Sequence, residues 1–220
     1  MSEETSDKEA TALAGYHYSN ATAPHTMAYL LPTILRTLEG FSQNRDTNTR
    51  VIEVGCGNGA IAARLAELGY SVVGIDPSKE GVRIASQAYP QIAVHCASCY
   101  DDLLGKFGSF PIVMSLEVIE HVFFPRKFAS CIYSLLEPGG IAIISTPYHS
   151  YLKNLALAVT GKMDQHFTAL WHYGHIKFWS MKTLRTLLQE AGFQDVRFIR
   201  VGRLPQLAKS MIAVAKRPKD

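Results

Sequence analysis

No apolar run in this chain approaches the roughly 20 residues that a membrane-spanning helix needs; each is broken early by a lysine, a glycine or a proline. The opening MSEETSDKEA is acidic and polar and lacks the basic lead and apolar block of a signal peptide, so the expectation is a soluble, cytoplasmic protein. Cysteine is scarce. Of Cys56, Cys96, Cys99 and Cys131, only Cys96 and Cys99 form a CxxC pair, and no second pair stands at zinc-finger spacing, so reduced structural thiols are expected. There is no internal repeat and no low-complexity tract. A net charge of +3 allows an anionic partner without demanding nucleic acid. With 47% hydrophobic and 19% charged residues in 220, what remains is an ordinary globular chain able to bury one substantial core.

Residues 1–24 read as a mobile arm, and 25–220 as a single domain. HTMAYLLPTILRTLEGF carries apolar residues at helical spacing, and SQNRDTNT is a polar linker. From Arg50 onward the pattern alternates. VIEV, SVVGID, IAVHC, PIVMSL and IAIIST are short apolar, mostly β-branched runs, separated by helical patterns such as GAIAARLAELG and PRKFASCIYSLLEPGG, with Pro138-Gly139-Gly140 as a helix stop. Such alternation predicts an α/β fold with a doubly wound, mostly parallel sheet. After Ser145 the rhythm breaks into an insertion at 147–179, crowded with His149, His166, His172, His175 and aromatics including Tyr148, Trp171, Phe178 and Trp179. SMKTLRTLLQEAGF restores a helix, and VRFIRVG and SMIAVAKR follow so closely that this last pair must be antiparallel.

VIEVGCGNG is a strand entering a glycine-rich turn that opens a helix. Gly55, Gly57 and Gly59 permit positive φ and a close ligand. Asp76 closes the second strand, where an acid accepts ribose hydroxyls. The spacing is GxGxG rather than GxGxxG, and Glu53 precedes the loop. A carboxylate there opposes a pyrophosphate but suits a ligand carrying an ammonium and a sulfonium, as S-adenosylmethionine (SAM) does. The alternatives are a nicotinamide-dependent oxidoreductase on the same architecture and a non-catalytic SAM-binding module.

These motifs resemble those of the class I SAM-dependent methyltransferases, in the branch of the ubiquinone-pathway O-methyltransferases, over about residues 25–218. VIEVGCGNG is similar to the family's first motif, VVGIDPS to its second, FPIVMSLEVIEHV to its fourth and LLEPGGIAIISTP to its post-helix strand. The resemblance implies a Rossmann-like sheet of seven strands ordered 3-2-1-4-5-7-6 with strand 7 antiparallel. It implies a SAM site at Glu53, Gly55, Cys56, Gly57, Asn58, Gly59, Asp76, Pro77 and Ser98, with Ser115, Leu116 and Glu117 beside the transferable methyl. One departure stands out: where the family carries an adenine-binding acid, this chain has Ser98, with Asp101 three residues later.

SLEVIEHV places Glu117, Glu120 and His121 on one face if it is helical. Three readings fit: a polar helix start, a catalytic base at His121 oriented by a glutamate, or a divalent metal held by Glu117, Glu120, His121 and His175. The insertion reads either as an aromatic lid over a small-molecule acceptor, aromatic or lipid-like, or as a satellite core; its LKNLALAV segment has the pattern of a short amphipathic helix. The expected reaction is methyl transfer, at oxygen.

Overall fold

A computed structural model describes residues 18–42, 49–167, 169–170 and 173–219. Most of the expected N-terminal arm and of the polar linker, together with Trp171 and His172 of the insertion, lie outside the described residues.

In chain order the elements are α1 (Met27–Ser42), β1 (Arg50–Val54), α2 (Ala60–Glu67), β2 (Ser71–Asp76), α3 (Lys79–Ala88), β3 (Ala93–Cys96), α4 (Leu103–Phe107), β4 (Phe110–Leu116), α5 (Pro125–Ser134), β5 (Leu136–Pro147), α6 (Tyr151–Val159), α7 (Met163–Phe167), α8 (Met181–Glu190), β6 (Gln194–Val201) and β7 (Ser210–Lys216). One seven-stranded sheet runs β3-β2-β1-β4-β5-β7-β6. Pairings among β1 to β5 are parallel, and β7 lies antiparallel between β5 and β6. The order and the reversed last strand are those expected.

Helices cover both faces of the sheet. On one, Leu30, Ile34 and Leu38 of α1 and Ile61 and Leu65 of α2 pack on Val51, Ile112 and Ile143. On the other, Phe128 and Ile132 of α5 and Leu184 and Leu188 of α8 pack on Ile52, Val113 and Ala142. The central strand β4 is buried along its whole length, as expected of a parallel strand covered on both sides. Each such large side chain removed from water stabilises the fold by roughly 1.5–3 kcal/mol.

The expected helix stop at Pro138-Gly139-Gly140 is not one. α5 already ends at Ser134, and β5 begins at Leu136, opposite Phe110. A Cβ on Gly140 would stand 2.9 Å from the carbonyl oxygens of Glu137 and Pro111, so this glycine serves a close approach of strands rather than a helix terminus. All four cysteines are free thiols. Among the described residues, no helix is long and apolar enough to cross a membrane.

Candidate active site

In a doubly wound sheet the loops at the carboxyl ends of the parallel strands gather at one edge. The first of them is the glycine turn. Gly55 and Cys56 both donate backbone N–H to the Ile75 carbonyl, at 2.7 and 3.0 Å, tying the turn to the end of β2. Gly55, Gly57 and Gly59 have φ of 84°, 56° and 76°, a region that costs side-chain-bearing residues roughly 1–2 kcal/mol. Asp76 accepts from Gly57 N and Ser78 N, each at 2.8 Å, so it holds the turn's shape from within. Pro77 is half-buried. The Cys56 side chain is buried toward Gly74, whose absent Cβ leaves it room; only the backbone of Cys56 belongs to the turn.

Glu53 lies under this turn, 1% exposed, with Oε2 lacking any hydrogen-bond partner among the described residues. Burial, and then the charge of Asp76, push its carboxyl up to about 8. A carboxyl in this position fits a cationic ligand group and disfavours a pyrophosphate. Residues 18–22 cross the turn from outside. Asn58 Nδ2 donates to Asn20 O at 3.0 Å and Thr22 O at 2.9 Å, and the Tyr18 ring packs against Gly57 and Gly81.

Beyond β3, Asp101 does not stand free. Its Oδ2 accepts from Ser98 N at 2.8 Å, folding the stretch into a turn with Ser98 buried. Ser115 is also committed internally: its hydroxyl donates to Val54 O at 2.7 Å and joins β4 to β1, while Leu116 is 7% exposed.

Residues 117–122 form turns, not a helix. Glu117 has φ 55°, incompatible with a right-handed helix, because its N–H is drawn to the Ser145 carbonyl at 3.1 Å and hydroxyl at 3.0 Å. The polar-helix-start reading therefore fails. The turn abuts the glycine loop, with Val118 against Gly55. It also separates the two glutamates. Glu117 Oε1 accepts from Ser145 Oγ at 2.8 Å and its Oε2 from Ser210 Oγ at 3.3 Å; Ser210 in turn meets Tyr29 Oη at 3.3 Å. Glu120 turns into the interior, 1% exposed, and neither carboxylate oxygen has a hydrogen-bond partner among the described residues.

The insertion is laid along this turn. Ile176 N and Lys177 N donate to Glu120 O at 2.9 and 3.0 Å, and Trp179 Nε1 donates to Ile119 O at 3.2 Å. His121 Nδ1 contacts Tyr173 O at 3.1 Å. A carbonyl only accepts, so the proton sits on Nδ1 and Nε2 keeps its lone pair. His175 packs edge-on against His121, centroids 4.9 Å apart. Ligand atoms of Glu120, His121 and His175 all lie within 4.8 Å of one another. Glu117, the fourth expected ligand, is not in this cluster.

The electrostatics follow from burial. Burial lifts Glu117 to about 7 against the Ser145 and Ser210 hydrogen bonds and the charge of Lys153, and burial and then Glu117 lift Glu120 well above the ordinary range. Burial lowers His121, and burial and then His121 lower His175 to about 4, so both imidazoles are neutral near pH 7.

Elsewhere in the insertion, Tyr148 and Trp179 join the main core, and His149 stacks on Phe167 with centroids 6.0 Å apart and meets Phe178 edge-on at 5.1 Å. These rings form a small cluster in which His149 is buried while Phe178 stays 48% exposed. Sequence reasoning missed Tyr29, Ser145 and Ser210. The serines had a signal, since the end of β5 and the start of an antiparallel β7 share the edge where the site lies; nothing in the chain tied Tyr29 to them.

Known proteins share the sequence pattern and the fold. The profile of a family described as a methyltransferase domain matches residues 24–197. Ubiquinone biosynthesis O-methyltransferases are similar: that of Caulobacter sp. strain K31 is 34% identical over 51% of this chain and 46% of its own length, and that of Methylocella silvestris 30% identical over 68% and 60%. The chain spans about half the length of the first of these. Among solved structures, magnesium protoporphyrin IX methyltransferase from Synechocystis PCC 6803, with bound S-adenosylhomocysteine (SAH), superposes with a TM-score of 0.67 at 20% identity, covering 97% of this chain and 94% of that one; at that identity the likeness carries the fold alone.

Proposed function

This chain belongs to the class I SAM-dependent methyltransferases, and from that premise we propose that it methylates an oxygen of a small-molecule acceptor, aromatic or lipid-like, with acceptor chemistry centred on Glu120, His121 and His175. The observation that carries this reading is the convergence of three donor groups within 4.8 Å, on the turn that touches the glycine loop. SAM fits the first half of the site, where Glu53 offers a buried oxygen without a hydrogen-bond partner to a cation, so the SAM-site residues expected from the resemblance are retained, the glycine turn acting through its backbone and Glu53 and Asp76 through their carboxylates.

Methyl transfer is an in-line displacement at carbon. Holding two reactants in line supplies roughly 7–11 kcal/mol of barrier lowering. The glycine turn and the 117–121 turn, locked together by Val118 on Gly55 and by the Ser115 bond to Val54, set that line. What remains is removal of the acceptor's proton. Neutral His121, with Nδ1–H held by Tyr173 O, keeps the Nε2 lone pair to accept this proton. Glu117, gripped by Ser145 and Ser210, holds the turn in its positive-φ shape.

The same donors fit a divalent cation, because Glu120 buries two unpartnered carboxylate oxygens, a state costly without a proton or a cation. Glu120, His121 and His175 would hold the ion, with the Tyr173 carbonyl accepting from Nδ1–H and so fixing the His121 ring's orientation. Bound there, it would lower the pKa of an acceptor hydroxyl.

The test is transfer of a labelled methyl from SAM to a simple catechol, with the product's methylated atom assigned by NMR. Methoxy product, loss of turnover on chelation and recovery with manganese or zinc support both parts. Turnover indifferent to chelator leaves His121 as base and removes the ion. SAH binding without any transfer, unchanged by His121→Ala, leaves a non-catalytic module.

A further inference from the structure

Tyr29 stands in the first turn of α1, one residue ahead of the stripe of Leu30, Ile34 and Leu38 that packs on the sheet. The stripe fixes the helix, and the helix carries Tyr29 to Ser210 at the start of β7. Its ring is half-buried, with Lys209 Nζ lying over it 5.3 Å from the centroid. Its hydroxyl meets Ser210 Oγ at 3.3 Å. A phenylalanine would serve the packing equally well, so the hydroxyl asks for an account of its own.

The proton count gives that contact a direction. Ser210 has one hydroxyl proton, and it goes to Glu117 Oε2 at 3.3 Å, while Ser145 Oγ donates to Oε1 at 2.8 Å. Tyr29 must therefore donate to Ser210, not accept from it. Burial first, and then Glu117 and Glu120, raise the phenol above its ordinary pKa against the Ser210 hydrogen bond, so near pH 7 it has the proton to give. Hydroxyls in series polarise one another, and loss of the end donor weakens the bond that follows it.

This chain of bonds ends on a residue in an unfavourable conformation. Glu117 has φ 55°, and a residue with a side chain stays in that region only where its surroundings over-determine it. Ser145 holds the Glu117 backbone; Ser145 and the Tyr29–Ser210 pair hold its carboxylate. His121 N donates to Val118 O at 2.9 Å, which ties the imidazole's backbone into the same turn. The His121 Nδ1 contact with Tyr173 O depends on where that turn sits.

We infer that Tyr29 is a positioning residue: by donating to Ser210 it completes the clamp on the Glu117 carboxylate, and through the 117–121 turn it keeps His121 in the Nδ1–H form that leaves Nε2 free to take a proton. Its effect on turnover rests on the methyl-transfer reading above. Its effect on the His121 ring does not.

The experiment is nitrogen NMR of isotopically labelled histidine rings in the whole SAH-loaded protein, comparing the parent with Tyr29→Phe, Ser210→Ala and the double variant. Calorimetric SAH binding is measured on each and confirms that it is folded. In the parent, His121 is expected to show one protonated and one bare nitrogen. In Tyr29→Phe the two signals draw together as the tautomers interchange, His95 of β3 keeps its signals, and SAH affinity stays within about twofold of the parent. Ser210→Ala is expected to give the same convergence, and Tyr29→Phe to add nothing to it. In the catechol assay, kcat of Tyr29→Phe falls about fivefold with KM unchanged for SAM and for acceptor. Unmoved His121 signals in Tyr29→Phe overturn the proposal. So do effects of the two substitutions that simply add, which make the phenol a packing group of α1, and so does a tenfold or greater loss of SAH affinity, which places it in the cofactor half. A parent that transfers no methyl group refutes the reaction, and the His121 signals then decide the clamp by themselves.

Discussion

Residues 50–79 and residues 147–179 reach the same edge of one sheet, the first shaped mainly by backbone N–H donors close in the chain, the second also by packed aromatic rings. In the glycine turn the shaping contacts are all donated by main-chain N–H groups: Gly55 and Cys56 to the Ile75 carbonyl, Gly57 and Ser78 to the Asp76 carboxylate. In the insertion, rings pack on rings, with Phe167 and Phe178 4.8 Å apart and His149 against both. A turn built from backbone depends on neighbours within about 25 residues, so it tolerates little substitution and serves one cofactor. A segment built from side chains draws on distant partners and accommodates change, which suits the part that meets a variable acceptor.

Four substitutions test this contrast. The largest effect is expected at Gly55→Val, where a side chain must enter the space of Val118 at φ 84°; SAH binding is lost in calorimetry and the melting temperature falls, since left-handed strain of roughly 1–2 kcal/mol adds to the overlap. An SAH affinity within threefold of the parent would mean that the turn is not the rigid half.

Next is Phe178→Ala, which removes ring contacts worth roughly 0.5–1.5 kcal/mol each. The acceptor KM should rise about tenfold while SAH affinity stays put, as steady-state kinetics and calorimetry together would show. A loss confined to SAH binding would join the two regions into one.

Glu53→Gln comes third, and its effect is one of pH. The Glu53 carboxyl, held at about 8 by burial and then Asp76, keeps its proton in the folded chain where the unfolded chain has lost it. Its ionisation therefore destabilises the folded state progressively as pH rises from about 4.5 to 8, and fully above 8. The ligand-free glutamine variant should gain in melting temperature over the parent across that window and little below it. SAM binding to the parent at pH 7 should release a proton, visible as a buffer-dependent binding enthalpy; equal enthalpies in phosphate and Tris would separate Glu53 from the cofactor.

The smallest effect belongs to Asn58→Ala, which frees residues 20–22 by removing two hydrogen bonds of roughly 1 kcal/mol each. SAH affinity should weaken by a few-fold with catalysis intact. An effect on the acceptor KM instead would place this segment on the other side of the site.

The same contrast explains what could be read from the chain. Strand alternation, the glycine turn, Asp76 and the reversed last strand are local patterns, and the fold followed from them. SLEVIEHV misled because its spacing of i, i+3, i+4 suits a helix, whereas two long-range bonds to Ser145 force Glu117 into a left-handed conformation. Of the expected ligand set, Glu120, His121 and His175 lie close together, the first two as neighbours in the chain and His175 from the segment the resemblance pointed to. The direction of the Glu117 carboxylate depends on Ser210, 93 residues away, and no local pattern encodes that.

Strand β7 enters the sheet between two strands that precede it in the chain, and it brings Ser210 to Glu117. During vectorial synthesis, every motif from the glycine turn to His175 leaves the ribosome before the strand that completes the Glu117 site. Until then β5 and β6 each expose an open edge to neighbouring chains, and the nascent protein can own a finished cofactor loop while its reaction centre is still open.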